Sequence, residues 1–553
     1  MWIIDFKTID YVKGKVVQVP CSVTVLCLIG IGVLPHELGN LSKLQHLDLA
    51  FNLNLQGDGN FEWLFNLSSL TYLDLSTIKI ANLVFGLALS RGSLQYQLCD
   101  YMVRLYNTWF CPVTILEVFL PNFTGFSSLK ILFLDDNEFF GSLPDFSGCS
   151  SLQALLLNEN LLTEWETEST GLLANLIELD LSTNSIHKWL PPFQLHELSM
   201  ASCKVGPKFP NWIRDQVNID HLDVSDSQIS DSPTWFGNLT SVPSWIGEDL
   251  SQLYALILKS NRFYGSIPSE ICNLSNLRFL DLYINMIYGT IPSCFSNLTA
   301  MTLKGTGVAE HIFPSSNSYN YAIAPSGFLI APSPSFSYFD NVLARWKGQE
   351  FEYGRNFAYL KMIDLSTNEL TGEFPIGMTR LLELKGLNLS ANRFYGNVPL
   401  EIGQLKVLEC LDLSTNKFSG EIPQSMSGLN FLAFLDLSNN NFVGRIPSGT
   451  QLQGFNYFAY KGNTRLCGKP LTNICPEDEP GDHVHPTSGE YEVDVDDSEY
   501  ERVSCSFGAA NGAASSFNYS ASDFKDCGRA GGKELKEIVM GELGQRAKRN
   551  SDG

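Results

Sequence analysis

The sequence has no apolar run long enough to cross a membrane. Its longest run, residues 23–34, has twelve residues, whereas a membrane helix needs about 20. Lys13 and Lys15 ahead of this run imitate a secretory signal poorly, because Pro20 and Cys21 interrupt the pattern. The sequence therefore predicts no membrane span in these residues.

Positive charge is also scarce. There are 37 Lys and Arg residues against 59 Asp and Glu residues, which gives a net charge of -22. Nucleic-acid binding needs clustered positive charge to pair with phosphates, so this class of function is disfavoured. Residues 477–501 contain eleven acidic residues and no Lys or Arg, and we expect them to form a solvated, flexible linker.

Motifs of catalysis are missing as well. The sequence contains no Gly-x-Ser-x-Gly elbow, no Walker loop and no Cys/His nucleophile constellation. The eight histidines are scattered, and His483 and His485 have no cysteine neighbours at zinc-binding spacing. We therefore expect a protein that is not an enzyme, with no cofactor and no metal.

What the sequence does contain is a repeat. The segments LKMIDLSTNEL, LKGLNLSANRF, LECLDLSTNKF and LAFLDLSNNNF follow one another with a period of 24 residues. Weaker copies extend the pattern to about thirteen repeats. An aligned asparagine ends each clear copy, which predicts a structural ladder of Asn137, Asn160, Asn184, Asn261, Asn285, Asn368, Asn392, Asn416 and Asn440.

The pattern LxxLxLxxN combines the alternation of a short strand with a turn. In one copy Leu411 and Leu413 are predicted to point inward, and Cys410 and Asp412 to point outward. The asparagine amide has both a donor and an acceptor for the backbone of neighbouring turns. Stacked copies predict an α/β-type solenoid, a horseshoe with a parallel β-sheet on its concave face.

A second motif, Gly-x-Ile-Pro, follows many of the asparagines, as in residues 265–268, 289–292 and 420–423. Glycine allows a turn, and proline favours an extended path. Together the two motifs resemble the plant-specific leucine-rich repeat, LxGxIPxxLGxL, over roughly residues 35–455. The repeats define a scaffold and identify no ligand.

An insert interrupts the period between Asn285 and Asn368, an interval longer than three repeats. Residues 301–358 are rich in aromatic residues, Ser and Pro, and resemble the island domain of plant receptor-like proteins and related receptor kinases. The resemblance implies that the island helps to form a ligand site; the alternative is a surface loop without function. The predicted ligand-binding candidates are Tyr338, Phe339, Trp346 and Lys347 in the insert, with Asp364, Asp412 and Asp436 from a discontinuous acidic stripe on the strands.

Four of the thirteen cysteines are disulfide candidates. The segment around Cys467 and Cys475 resembles the C-terminal cap of plant receptor-like proteins, and a bridge between these two residues would hold the covering loop in place. Cys272 and Cys294 lie nearly one period apart, so they should be on adjacent coils. The alternative for this second pair is two buried thiols.

Several Asn-x-Ser/Thr sequons fall in a common phase of the repeat, away from the strands. This phase predicts glycans that leave the concave face open, although Asn-Leu-Ser is also part of the repeat consensus. Asn388 lies on a strand instead, and we expect low occupancy there. The predicted glycosylation sites are Asn40, Asn66, Asn122, Asn238, Asn273 and Asn297.

These patterns divide the chain into seven segments. We expect an atypical N-terminus (1–34), leucine-rich repeats that are partly degenerate (35–300), the island insert (301–358), four C-terminal repeats (359–455), a cap (456–476), an acidic linker (477–501) and an unassigned tail (502–553). Compared with the family, the sequence lacks a clear signal peptide, a paired-cysteine N-terminal cap and a membrane helix. A truncated gene model and an apoplastic protein are both compatible with that pattern.

The resemblance implies the ligand-recognition ectodomain of a plant cell-surface receptor-like protein. Such a glycoprotein would bind an extracellular peptide, protein or glycan elicitor at the plasma membrane and signal in defence or development through a co-receptor or adaptor kinase. The alternatives are a soluble inhibitor of a pathogen enzyme, similar to polygalacturonase-inhibiting proteins, and a nonfunctional receptor fragment.

Overall fold

The computed structural model describes chiefly residues 36–50, 62–78, 123–164, 173–229, 241–303 and 360–476. Within these ranges, positions 124, 138, 144–145, 187–190, 192 and 450 are not described. It also describes short strands before residue 57 and between residues 322 and 353. The chain divides into two compact units, 1–479 and 480–553. The second unit lies outside the described residues.

A parallel sheet of fifteen strands runs through the first unit, one short strand per coil. The predicted leucine-rich-repeat solenoid is thus confirmed. Its first two strands fall within the segment predicted to be atypical, residues 1–34. In sheet order the strands are Trp2–Asp5, Val25–Ile29, His46–Asp48, Tyr72–Asp74, Ile131–Phe133, Ala154–Leu156, Glu178–Asp180, Glu197–Ser199, His221–Asp223, Ala255–Ile257, Phe279–Asp281, Met362–Asp364, Gly386–Asn388, Cys410–Asp412 and Phe434–Asp436.

The strand leucines of successive coils form one continuous core. Leu411 and Leu413 have no exposed surface, and they belong to one cluster of buried apolar residues that extends from Leu38 to Leu466. Phe394, Phe418 and Phe442, each two residues beyond a ladder asparagine, stack with ring centroids 5.9 and 6.3 Å apart. Because each coil buries its apolar residues only against its neighbours, the core extends along the array.

A second parallel sheet flanks the first one, and the sequence pattern did not predict it. Its seven strands follow the ladder asparagines, and the first six contain the glycine of a Gly-x-Ile-Pro or related motif. Gly420, for example, has a φ of 75°, which is unfavourable for other residues. The strands are Tyr264–Gly265, Met286–Gly289, Glu369–Gly372, Arg393–Asn397, Lys417–Glu421, Asn441–Arg445 and Arg465–Cys467.

Short helices occupy the convex side of the coils. The motif proline is the extended residue just before a helix, as at Pro268 and Pro399. The 3-10 helices are His36–Asn40, Glu62–Asn66, Asn211–Asp215, Ser269–Asn273, Ser293–Asn297, Thr299–Met301, Ile376–Arg380, Leu400–Gln404, Gln424–Gly428, Leu452–Gly454 and Tyr457–Tyr460, and Trp245–Asp249 is α-helical.

The solenoid continues directly across the insert. The strand Phe279–Asp281 pairs in register with Met362–Asp364, although more than three periods of sequence separate their ends. The insert therefore leaves the coil after the helix Thr299–Met301 and returns next to the strand Met362–Asp364. Its described strands form two antiparallel pairs, Ala322–Ile323 with Leu329–Ile330 and Val342–Trp346 with Gln349–Tyr353.

Candidate functional site

The aspartates of the acidic stripe bind the turn that follows each strand. Asp364 Oδ1 accepts hydrogen bonds from Ser366 N (2.9 Å) and Ser366 Oγ (2.5 Å). Asp412 Oδ1 accepts from Ser414 N (3.0 Å) and Ser414 Oγ (2.7 Å). The same bond to the backbone two residues on is made by Asp48, Asp74, Asp180, Asp223, Asp281 and Asp436.

This arrangement corrects the expectation that Asp364 and Asp412 are available to a ligand. Asp364 has no exposed surface and Asp412 is only 7% exposed. Strand alternation does turn them away from the leucine core, but neighbouring side chains cover them. Of the three predicted aspartates, Asp436 alone remains partly accessible.

Burial makes part of this acidic column sensitive to protonation. Burial, and next the Asp364 carboxylate, raise the pKa of Asp281 to about 8, against the lowering influence of Lys259. Asp281 and Asp364 are register partners on adjacent strands, so two carboxylates share a site with little water. Burial likewise raises the pKa of Asp74 and of Asp180 to about 6.

Accessible side chains gather at the C-terminal end of the concave sheet. We call the set Lys385, Glu409, Phe434, Asp436 and Phe458 the C-terminal concave patch. Lys385 Nζ lies 3.7 Å from Glu409 Oε1, with side chains 38% and 33% exposed. Phe434 N donates to Glu409 O at 3.0 Å, so the strand that contains Phe434 lies next to the coil of Glu409.

The cap supplies the last part of this patch. Leu437 N donates to Ala459 O at 2.7 Å, so the helix Tyr457–Tyr460 takes the place of a further strand. Phe458 is 44% exposed, and Lys461 Nζ lies 5.4 Å from the centre of its ring. The exposed Phe458 ring thus lies beside a positive charge, on the helix that follows the strand Phe434–Asp436.

The predicted ligand candidates of the insert fall largely outside this description. Tyr338, Phe339 and Lys347 lie outside the described residues. Trp346 is the last residue of the strand Val342–Trp346 and is the register partner of Gln349 in an antiparallel hairpin. They remain predictions.

The ladder asparagines each bind their own turn and the coil before it. Asn416 Nδ2 donates to Leu413 O and Ser414 O in its own coil and to Leu389 O in the preceding coil, and Asn416 Oδ1 accepts from Phe394 N. Asn137 Nδ2 likewise donates to its own coil and to the preceding one. The full pattern of bonds is made by Asn160, Asn184, Asn261, Asn285, Asn368, Asn392 and Asn440.

Sequence reasoning missed one member of the ladder. Asn463 in the cap donates to Leu437 O and accepts from Phe442 N, although no LxxLxL precedes it. Its spacing from Asn440, close to one period, was the available signal. Ser227 and Cys203 occupy the asparagine position in two coils, and both donate to the coil before them.

Both predicted cysteine pairs form disulfides. Cys272 and Cys294 join the adjacent helices Ser269–Asn273 and Ser293–Asn297. Cys467 and Cys475 close a loop of the cap. Cys149, Cys203 and Cys410 are buried, and burial raises the pKa of Cys203 to about 12.

Four of the predicted glycosylation sites share one position in the coil. Asn40, Asn66, Asn273 and Asn297 are each the last residue of a 3-10 helix, and each is exposed. Asn122 and Asn238 lie outside the described residues.

The described residues were also searched for metal sites and for membrane spans. They contain no group of three or more His, Cys, Asp or Glu residues placed to hold a metal ion. Within the same residues, no helix has the length and apolar character to span a bilayer.

Comparison with known proteins supports the reading of the repeats. The Leucine Rich Repeat family model matches residues 276–298, 407–429 and 431–451. Receptor-like protein EIX2 of Solanum lycopersicum is 57% identical over 236 residues, which are 42% of this chain and 22% of the relative. Receptor-like protein EIX1 of the same species is 38% identical over 111 residues, 19% of this chain and 10% of the relative. The chain thus spans no more than about a quarter of the length of these relatives.

Solved structures resemble the chain in fold. A plant peptide hormone receptor, RGFR1, in complex with RGF2 has a TM-score of 0.50 and 20% identity, covering 81% of this chain and 58% of that one. The Leptospira interrogans leucine-rich-repeat protein LIC12759 has the same TM-score and 23% identity, covering 83% and 93%. The repeats and the parallel sheets show a leucine-rich-repeat solenoid, and over part of its length the chain is similar to plant receptor-like proteins.

Proposed function

We propose that this chain is the ligand-recognition part of a plant receptor-like protein on the extracellular face of the plasma membrane. It binds an extracellular peptide, protein or glycan elicitor and passes recognition to a partner receptor kinase, in defence or development. The observation that carries the proposal is the C-terminal concave patch, where the partly exposed Phe434 ring and the Lys385–Glu409 ion pair lie on neighbouring coils. The similarity to EIX2 supports the receptor-like part of the proposal.

The patch has the composition of a binding surface. Aromatic residues dominate the energies of protein interfaces when their rings become fully covered. Phe434 is half-buried against the cluster that contains Cys410, so its ring is already held in place and loses little freedom on binding. Phe458 offers a second ring, and Lys385, Glu409 and Asp436 can select a partner of complementary charge.

The proposed surface also includes the insert. The insert returns to the solenoid at the strand Met362–Asp364, which pairs with Gly386–Asn388 beside the patch. Contacts from Tyr338, Phe339, Trp346 and Lys347 to the same ligand are part of the proposal. Catalysis is not part of the proposal, because recognition by a shallow repetitive surface depends on contact area.

The test is direct binding with the full chain, secreted from plant cells and immobilised for interferometry. Culture filtrates of microbes and synthetic plant peptides are fractionated until one component binds. Phe434→Asp is expected to weaken binding of that component at least tenfold, because it places a charge where a ring should be covered. Leu400→Asp is the matched control, since Leu400 is 68% exposed on the convex helix Leu400–Gln404.

Equal loss of binding in both variants, or in neither, contradicts the use of the concave patch. Association with a receptor kinase is measured separately, by co-purification from leaf membranes with and without the component. If the bound component is a pectin-degrading enzyme whose activity the chain blocks, and no kinase co-purifies, the soluble-inhibitor alternative replaces the receptor proposal.

A further inference from the structure

Three cations lie in one column on consecutive coils of the concave sheet. Arg278, Lys361 and Lys385 each directly precede a strand, and the three strands are paired in register. We propose that these residues, the cation column, bind carboxylate side chains of an acidic peptide segment in the recognised molecule. This inference rests on the proposed function, because it names the charge of the ligand that the concave face takes.

The backbone fixes the spacing of the column. Met362 N donates to Arg278 O at 2.8 Å, and Lys385 N donates to Lys361 O at 2.9 Å. Neighbouring strands of a sheet lie about 4.8 Å apart, so the first and last side chains of the column begin about 10 Å apart. All three residues are partly accessible. The column is therefore a row of positive charge on a rigid support.

Holding like charges this close to one another has a cost. Like charges on adjacent strands repel, and partial burial removes part of the water that would weaken the repulsion. Burial lowers the pKa of Lys361, and the Glu383 carboxylate opposes this shift. The neighbouring cations Arg278 and Lys385 lower it further. An anion bound over the column would offset this repulsion, so the arrangement favours a negatively charged ligand.

The carboxylates of the same sheet compensate the column only in part. Lys385 Nζ is 3.7 Å from Glu409 Oε1, beyond hydrogen-bond distance, and both side chains are about one third exposed. An exposed pair of this kind is weak in water. Asp281 and Asp364 are buried register partners, and burial, and next the Asp364 carboxylate, raise the pKa of Asp281 to about 8. This pair therefore holds a proton at neutral pH and carries less negative charge than two free carboxylates.

The column begins where the insert joins the solenoid and runs toward the C-terminal concave patch. Lys361 Nζ donates to Leu303 O at 3.2 Å, which links the coil after the insert to the chain that enters it. This bond uses one of the three donors of an ammonium group. Lys385 belongs to both the column and the patch, and Phe434 lies two coils further along the sheet.

This neighbourhood favours a peptide over a polymer of sugar acids. The four coil steps from Arg278 to Phe434 cover about 19 Å, which an extended peptide spans with about six residues. The Arg278 guanidinium can bind one carboxylate with two parallel N–H groups, and the two lysines act as point charges. A peptide with acidic side chains at one end and an apolar side chain near the other would contact both the column and the Phe434 ring. A sugar-acid polymer has the charge but lacks the apolar side chain.

The test is selection of peptides by the full chain, secreted from plant cells and immobilised. Random peptides long enough to span the column and the patch are displayed on phage and enriched on the wild-type chain. A second selection uses the double variant Arg278→Glu with Lys361→Glu. We expect an excess of Asp and Glu over the input library on the wild type, and loss of that excess on the double variant.

The matched control is the double variant Arg380→Glu with Lys406→Glu. It changes the net charge by the same amount at exposed residues of the convex side. We expect it to select acidic peptides as the wild type does. Acidic peptides lost equally in both double variants would show an effect of net charge alone, which overturns the assignment to the column.

Affinities of one selected acidic peptide give a second readout with milder changes. Arg278→Gln and Lys361→Gln should each weaken its binding by about tenfold or more, the loss expected for a charge-assisted hydrogen bond. Arg278→Lys, which keeps the charge, should weaken binding less than Arg278→Gln. Thermal unfolding of each variant verifies that it is folded before its affinity is compared.

The outcomes separate this inference from the proposed function. Wild-type selections without an acidic excess, selections that enrich no peptide, or unchanged affinity in folded Arg278→Gln and Lys361→Gln overturn the cation column. They leave open a receptor that takes a neutral protein or glycan. If acidic peptides need the column but bind Phe434→Asp as tightly as the wild type, the column stands and the proposed use of the patch fails.

Discussion

Replacing Asn416 by alanine should loosen two coils at once. Asn416 Nδ2 donates to the carbonyls of Leu389 (2.9 Å), Leu413 (3.2 Å) and Ser414 (3.1 Å). Its Oδ1 accepts from Phe394 N at 3.0 Å. Alanine removes all four bonds and leaves the backbone otherwise able to keep its path.

The four lost bonds differ in their cost. The three carbonyls keep other donors, namely Asn392 Nδ2, Asn440 Nδ2 and Ala391 N. The buried Phe394 N–H loses the acceptor Asn416 Oδ1, and an orphaned buried donor costs about 1–3 kcal/mol. With about 0.5 kcal/mol for each of the other bonds, Asn416→Ala should lower the free energy of unfolding by about 3 kcal/mol.

Asn416→Asp separates hydrogen bonding from shape. Aspartate has the same size and keeps an oxygen for Phe394 N, but it faces three carbonyl oxygens with a carboxylate instead of an amide donor. It should therefore destabilise the protein more than alanine does. If filling the space were the main contribution, aspartate would be the milder change.

The assay combines urea unfolding with hydrogen exchange at neutral pH. Repeat arrays can unfold in parts, so exchange of the peptide that contains Phe394 reports the local effect. Lys417→Ala, which changes an exposed neighbour, is the control and should change neither measurement. Exchange near Phe394 that stays at the wild-type rate in Asn416→Ala, or a greater stability of Asn416→Asp than of Asn416→Ala, refutes the reasoning.

Two further predictions concern charge and cross-links. Because the pKa of Asp281 is raised to about 8, the folded chain holds a proton that the unfolded chain has lost above about pH 4. Stability should therefore fall as pH rises from about 4 to 8, by at most about 1.4 kcal/mol per pH unit for this proton. Thermal unfolding at pH 5 and pH 8 should show a smaller difference in Asp281→Asn, and an unchanged difference would contradict the assignment. Loop closure over the sequence separations of 22 and 8 residues predicts losses of about 3 kcal/mol for Cys272→Ser and about 2.5 kcal/mol for Cys467→Ser. Urea unfolding that finds neither loss would exclude a structural role for the bridges.

The period of leucines was enough to predict the main sheet. Burial of Leu411 and Leu413 is a local consequence of strand alternation, so spacing alone places them. The flanking sheet was not predicted, because its strands follow the turn and have no leucine pattern of their own. Its signal was the glycine of Gly-x-Ile-Pro, which the structure holds at positive φ.

The candidate site was harder to predict than the fold. Alternation placed Asp364 and Asp412 on the outer face of the sheet, but exposure depends on what the adjacent strands carry. Asn388 and Ser366, from the next strand and from the turn, bind Asp364 and cover it. Phe458 was missed because it belongs to the cap, whose helix continues the sheet edge without a repeat motif.

The asparagine ladder has a direction, and this sets where the array can safely end. Each coil receives the acceptor for one buried N–H from the coil that follows it. For the last complete repeat, the Phe442 N–H is bound by Asn463 of the cap at 3.0 Å. A shortened chain that stops at residue 455 would keep every leucine repeat yet leave that N–H unbound, so fragments for expression should extend through residue 476.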